Sequence, residues 1–348
     1  MGLAEIALVV LWFGLTAYVL FGGADFGGGF WDLLAGGARR GAAQRGLVEH
    51  AIGPVWEANH VWLIFVIVML WTGFPTVFAA VASTLYIPLT LVALGIIARG
   101  AAFAFRKVSH EPGMRRLYGA GFAFSSVATP FFLGTAAGAI AGGRVPAGIA
   151  TGHLVTSWLN PTSLVTGVLA VGVTAYLAAA YLCRDAERAG SAELAAAFRR
   201  RALITGVVVG GVSLAGLLVL RVDSPGLFNE LLGWPAVGLV GLSVIAGLAS
   251  LALLAARAFL AVRVTASLAV AGVLWAWAVA QYPVLLPGVT VADAAATDAV
   301  LGASLGALGV GAVLLVPSLW WLYRLFQQPE PTGPTDRTEA AGAPRHTR

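Results

Sequence analysis

The chain has 348 residues, 59% of them hydrophobic and only 11% charged, with a mean hydropathy of +0.87. Soluble domains carry roughly 25% charged residues, so this composition excludes a soluble globular protein and describes a polytopic membrane protein. A net charge of +5 would point to nucleic acid in a soluble chain; here the charges fall almost wholly between apolar runs, so they report topology and no nucleic-acid partner is expected.

The first apolar run, from Ile6 to Phe21, has no basic region before it and no processing site after it, so it reads as a retained span. A helix needs about 20 apolar residues to cross the hydrocarbon core. Nine such spans are predicted, at 4–34, 56–78, 79–104, 118–142, 159–182, 202–221, 235–256, 261–282 and 299–325. The second half of the first, GGADFGGGFWDLLAGG, would be a weak soluble helix, but in a bundle its glycines form a smooth contact surface. Asn160 and Pro161 read as the N-cap and first-turn proline of the fifth span, and Thr297 and Asp298 play that part for the ninth. Pro88, Pro130 and Pro317 lie inside spans and are expected to kink them. Residues 1–326 thus form an integral membrane helical domain, and 327–348, rich in Pro, Thr, Gly and charge, are expected to be a disordered cytoplasmic tail. The single cysteine, Cys183, excludes an internal disulfide and any CxxC or CxxCH site.

The basic residues set the orientation. They cluster after span one (Arg39, Arg40, Arg45), after span three (from Arg99 to Arg116), after span five (from Arg184 to Arg201), after span seven (Arg257, Arg263) and in the C-terminal tail. The opposite loops hold only Arg144 and Arg221. By the positive-inside rule the N-terminus is outside and the C-terminus cytoplasmic.

With that orientation, Asp25 lies in the inner half of span one, Glu57 and His60 in the first inner turns of span two, and Arg99 near the inner end of span three. Ionisable groups at membrane depth need a partner, water or a function. One reading is a structural ion pair in which Arg99 neutralises Asp25 and locks three helices together. The other is a proton entry point with Glu57 as relay, Trp56 shaping its surroundings. Asp32, at the end of span one, reads as a solvated helix end. His50 and His110 fall in basic loops, His153 in an outer loop and His346 in the tail. His60 is the remaining haem or metal candidate, but no second His or Met stands at a matching depth, so no cofactor or metal is assigned to this chain. Most of the tryptophans fall near span ends and read as an interfacial belt.

ADFGGGFWDLLAGG at 24–37, IGPVWEANHVWLI at 52–64, ARGAAFAFR at 98–106 and WLNPTSLVTGVLAVG at 158–172 closely resemble subunit II of the cytochrome bd quinol oxidases. The resemblance implies an all-α membrane fold with two four-helix bundles plus one extra helix. It implies a homologous subunit I as partner, carrying haem b558, haem b595 and haem d, in a bacterial cytoplasmic membrane complex that oxidises quinol and reduces dioxygen to water. A small accessory subunit, surrounding lipid and a structural quinone also belong to the family's repertoire, and no motif here marks any of them. By motif, Glu57 matches the acidic relay position after the tryptophan, Asp25 the carboxylate of the glycine-rich motif, and Arg99 the arginine closing the third helix. Residues 117–124 lack the acid that some members place at the start of span four. Three functions follow: a subunit that completes a cytoplasmic proton pathway and stabilises subunit I, a purely structural scaffold of the same complex, and a secondary transporter.

Overall fold

The computed structural model describes residues 2–37, 41–53, 56–109 and 111–326. The expected tail at 327–348, Arg39, Arg40, His110 and His346 lie outside the described residues. Among those described, nine helical stretches are long and apolar enough to cross a membrane.

The first crossing is continuous but irregular. Helix α1 (Leu3–Ala17) passes through a π-helical turn at Tyr18–Gly22 into α2 (Gly23–Leu33). A short helix, α3 (Ala42–Ile52), follows and buries Leu47, Val48 and Ile52. The second crossing, α4 (Trp56–Gly73), stops five residues earlier than expected. Pro75 disfavours helical geometry at Phe74, which sits at φ −137°. Pro75 then opens a short apolar helix, α5 (Pro75–Thr84), so the third crossing, α6 (Tyr86–Val108), begins at 86 and not at 79. Pro88 therefore falls in the first turn of α6, where no intrahelical N–H is required, rather than in its interior.

Helix α7 (Pro112–Ala141) contains Pro130. In α8 (Pro161–Arg188) the expected cap is in place: the Asn160 side chain accepts from the Ser163 backbone N–H at 2.9 Å. Helix α9 (Ala192–Asp223) starts ten residues before the predicted span, because Ser191 caps it and the alanine-rich run after it favours helix. Arg199, expected in a loop, lies on this helix and donates to the carbonyls of Leu254 and Ala255 at 2.6 and 2.9 Å. Those carbonyls close α11 (Ala236–Ala255), whose C-terminal acceptors would otherwise lack partners. A short helix, α10 (Pro225–Leu232), precedes α11, and α12 (Phe259–Gln281) follows it. A two-stranded antiparallel hairpin, β1 (Val284–Leu286) with β2 (Val289–Thr290), and a single turn, α13 (Val291–Ala294), lead into α14 (Asp298–Phe326).

Residues 2–307 form one compact unit; residues from 308 onward form a second, whose described part is the rest of α14, with Pro317 inside it. Within the first unit, α6 packs on α7, α7 on α8, α8 on α9, and α11 on α12. Helix α2 packs on both α7 and α8, and α1 on α4. The largest buried cluster surrounds α8, where Ala175, Leu177, Ala178, Ala179 and Ala180 are almost wholly enclosed. Two tryptophans expected in the interfacial belt are instead buried inside the helix packing. Trp31 is buried and donates to the Ala175 carbonyl at 2.8 Å, and Trp12 meets Trp277 edge-on with ring centroids 4.9 Å apart.

Candidate functional site

The site is built on α2. Its three consecutive glycines face three different neighbours, since successive helical residues step round the axis by about 100°. A Cβ on Gly27 would stand 1.9 Å from the Thr174 carbonyl oxygen of α8. One on Gly28 would stand 2.4 Å from Ile52 Cδ1 of α3, and one on Gly29 2.1 Å from Ser126 Oγ of α7. Only a bare backbone allows α2 to approach its neighbours this closely. That approach buries the polar side chains beside the glycines.

Asp25 is 4% exposed and its Oδ2 accepts from Asn59 Nδ2 at 2.8 Å, joining α2 to α4. Arg99, on α6, is 2% exposed. Its Nη2 donates to the backbone carbonyl of Asp25 at 2.9 Å and its Nε to Ser126 Oγ at 3.1 Å. Ser126 in turn donates to the Phe122 carbonyl at 2.6 Å. The guanidinium lies 4.9 Å from the Phe26 ring centroid and 5.0 Å from that of Phe122, between two aromatic faces. Asp25 and Arg99 therefore converge, but the contact differs from a simple ion pair: the guanidinium holds the main chain of Asp25, and Asn59 holds its carboxylate.

Glu57 does not join them. It is exposed, with no hydrogen bond or ion pair to another described residue. It heads an exposed stripe on α4 that continues through Val61, Ile64, Val68 and Trp71, spaced as one helical face. Asn59, two residues further on, points the opposite way into the protein. The first turn of α4 thus carries a carboxylate on its outer side and an amide bound to Asp25 on its inner side. Sequence reasoning placed all three charged groups at one depth. It could not fix the rotation of α4, a helix apolar all round beyond its first turn.

Trp56 packs between Phe103 and His60, with ring centroids 5.8 and 6.1 Å away. His60 also meets Phe26 at 5.8 Å and Tyr18 at 6.4 Å. Among the described residues no group of three or more His, Cys, Asp or Glu side chains converges. His60 is boxed by the rings of Trp56, Phe26 and Tyr18.

Asp32 corrects the reading of a solvated helix end. It is 8% exposed and pairs with Arg106 at 2.5 Å and Arg45 at 4.0 Å. Arg106 also reaches Glu49 at 3.1 Å, and Arg45 donates to the carbonyls of Gly36 and Gly37 just past α2. This cluster ties α2, α3 and α6 together. In the sequence Arg45 and Arg106 read only as topological charges; a second acid seven residues after Asp25, on the same helix face, is the available signal.

At the far end of α8, Asp223 accepts from Thr162 Oγ1 at 2.6 Å and from Arg144 at 2.9 Å. The two basic residues of the otherwise acidic or neutral loops thus include one with a specific structural partner.

Comparison with known proteins places this arrangement. Residues 3–326 match the sequence profile of the cytochrome bd terminal oxidase subunit II family. A Bacillus subtilis protein named cytochrome bd ubiquinol oxidase subunit 2 is 36% identical over 130 residues, 36% of this chain and 37% of that protein. An Escherichia coli K12 protein named cytochrome bd-I ubiquinol oxidase subunit 2 is 30% identical over 184 residues, 49% of this chain and 47% of that protein. These matches span less than half the length of either curated relative. In the solved bd oxidase of Geobacillus thermodenitrificans, one chain has the same fold, with a TM-score of 0.77 at 24% identity, covering 94% of this chain and 99% of that one. The chain belongs to the cytochrome bd terminal oxidase subunit II family.

Proposed function

We propose that this chain is the non-haem subunit of a bd-type quinol oxidase and supplies part of a cytoplasmic proton route to a haem-bearing subunit I. The haems held by that partner supply the electron-transfer and dioxygen chemistry; the residues of this chain bind helices together and hold protons at carboxylates. The alternation of arginine-rich and arginine-poor loops supports an external N-terminus and a cytoplasmic C-terminus. Quinol and dioxygen act at the level of the complex, and lipid or an accessory subunit covers apolar surface the partner leaves free.

One observation carries the reading: the first turn of α4 bears Glu57 on its exposed side and Asn59, bound to the buried Asp25, on its inner side. A carboxylate at the head of an apolar stripe is costly against lipid and is suited to a partner that covers it. Glu57 and Asp25 then serve different steps. Glu57 exchanges protons at the subunit boundary, and Asp25 holds charge inside the helix bundle.

A specific observation also favours the scaffold reading. Arg99 spends its donors on a backbone carbonyl and a serine, between two rings, as a structural lock would. The substitution Glu57→Gln separates the two. In complex purified with its full haem complement, a relay predicts slower oxygen consumption and proton uptake at unchanged assembly. Wild-type turnover in that assembled complex refutes the relay and leaves the scaffold.

A further inference from the structure

Two buried polar atoms near Asp25 have no hydrogen-bond partner among the described residues: the Tyr18 hydroxyl and His60 Nδ1. Tyr18 is 5% exposed, and its ring faces that of His60 with centroids 6.4 Å apart. His60 follows Asn59 directly, so it adjoins the residue that holds the Asp25 carboxylate. Phe26 and Trp56 close the sides of the imidazole. Polar atoms without partners are rare inside proteins and more costly at membrane depth, so two of them on neighbouring rings call for an occupant.

The backbone is shaped around the tyrosine. Tyr18 opens the π-helical turn Tyr18–Gly22, a distortion that recurs at functional sites. Its ring lies over Gly22: a Cβ there would stand 2.9 Å from Tyr18 Cε2 and 3.7 Å from Cζ. Gly22 thus leaves room for the tyrosine to lie along the helix toward Asp25, three residues further on. At about 1.5 Å per residue, the Tyr18 backbone stands roughly 10 Å nearer the membrane centre than that of Asp25.

We propose that Tyr18 and His60 bind internal water beside Asp25 and extend the proton route from that carboxylate toward the membrane centre. The hydroxyl donates to the water and His60 Nδ1, as the unprotonated ring nitrogen, accepts from it. A water held by two such groups and a nearby carboxylate meets the usual need for several polar partners. The Asp25 O–H bond breaks as an O–H bond to this water forms, and the water's own O–H bond breaks as its proton binds a second internal water further along the route, which leaves Asp25 a carboxylate and the first water neutral. Tyr18 and His60 act as positioning residues.

The inference rests on the proton route proposed above, to which it adds the Asp25 carboxyl as a carrier, and the test keeps the two apart. In the assembled oxidase with full haem content, Tyr18→Phe keeps the ring and deletes the hydroxyl. Turnover is expected to fall several-fold, with a larger solvent deuterium isotope effect than wild type, and His60→Gln is expected to behave alike. A purely structural role would not move the isotope effect. Wild-type turnover and isotope effect in Tyr18→Phe overturn the inference. Asp25→Asn then shows which reading has fallen: a slow Asp25→Asn enzyme leaves the proton role standing, and a fast one removes that too. Should Tyr18→Phe fail to assemble, the same two measurements on His60→Gln decide in the same way.

Discussion

Adding one methyl group at Gly27 tests whether α2 is seated on α8 by backbone contact. The new Cβ would stand 1.9 Å from the Thr174 oxygen, 2.5 Å from the Thr174 carbonyl carbon and 2.7 Å from Ala178 Cβ. Ordinary contact begins at 3.4 Å, so α2 must withdraw by more than an ångström. Overpacking that side-chain motion can relieve costs about 1–3 kcal/mol. Here the two nearest atoms are backbone of α8, which no side-chain motion relieves, and withdrawal would also stretch the Trp31 bond to Ala175, so we expect about 3 kcal/mol. That is roughly a hundredfold in the folding equilibrium. Gly210 is the control: it lies in α9 with nothing within 4 Å of an added Cβ. Gly210→Ala should be neutral or stabilising by up to about 1 kcal/mol, through lower unfolded-chain entropy. The assay is denaturation of the detergent-purified complex followed by near-ultraviolet circular dichroism. Equal midpoints for Gly27→Ala and Gly210→Ala would refute the argument.

Two further expectations concern the lock and the hairpin. Arg99→Lys keeps a positive charge, but one ammonium cannot bond both Ser126 and the Asp25 carbonyl while lying flat between Phe26 and Phe122. A loss of about 2–3 kcal/mol is expected in denaturant titrations, and wild-type stability would contradict it. Asp293 accepts from the Thr290 hydroxyl at 2.6 Å and from its backbone N–H at 3.1 Å, and these bonds hold its carboxyl below its ordinary value of 3.8. A depressed carboxylate contributes its stability above the unfolded value and loses it as pH falls through the lowered one. Hydrogen-exchange protection across 289–294, relative to the intrinsic amide rate at each pH, should therefore fall on acidification below about pH 3.8, and Thr290→Val should remove most of that dependence. An identical pH response in the variant would show that the cap does not fasten this turn.

Much of the scaffold was legible because it rests on chemistry that sequence displays directly. Twenty-residue apolar runs give crossings, Asn-Pro gives a helix start, and a run of glycines gives close contact. The convergence of Asp25 with Arg99 followed from depth, which arginine-rich loops supply. Rotation about the helix axis was not legible. The stripe headed by Glu57 and the face that carries Asn59 are both flanked by apolar residues, so no periodicity separates outside from inside. Asp32 was misread for a related reason: its partner Arg106 lies 74 positions away, and only the packed structure brings the pair within reach. Pro75 was a visible signal, since the residue before a proline leaves helical geometry, and it marked the end of α4 directly.

The π-helical turn has a consequence for the chain's length. Before it, α1 serves α4; after it, α2 serves α7 and α8. A π turn holds one residue more than an α turn would place there, and its wider coil absorbs that surplus without rotating the two halves against each other. Deleting a single amino acid between Tyr18 and Gly22 would leave every side chain of the Asp25 cluster present. There the turn would relax to α geometry and both halves would keep their faces, whereas a deletion inside α1 or α2 would swing one half by about 100° relative to the other. The meeting of Asp25 with Asn59 is thus written partly in the counting of residues, where a substitution scan across the first crossing would never find it.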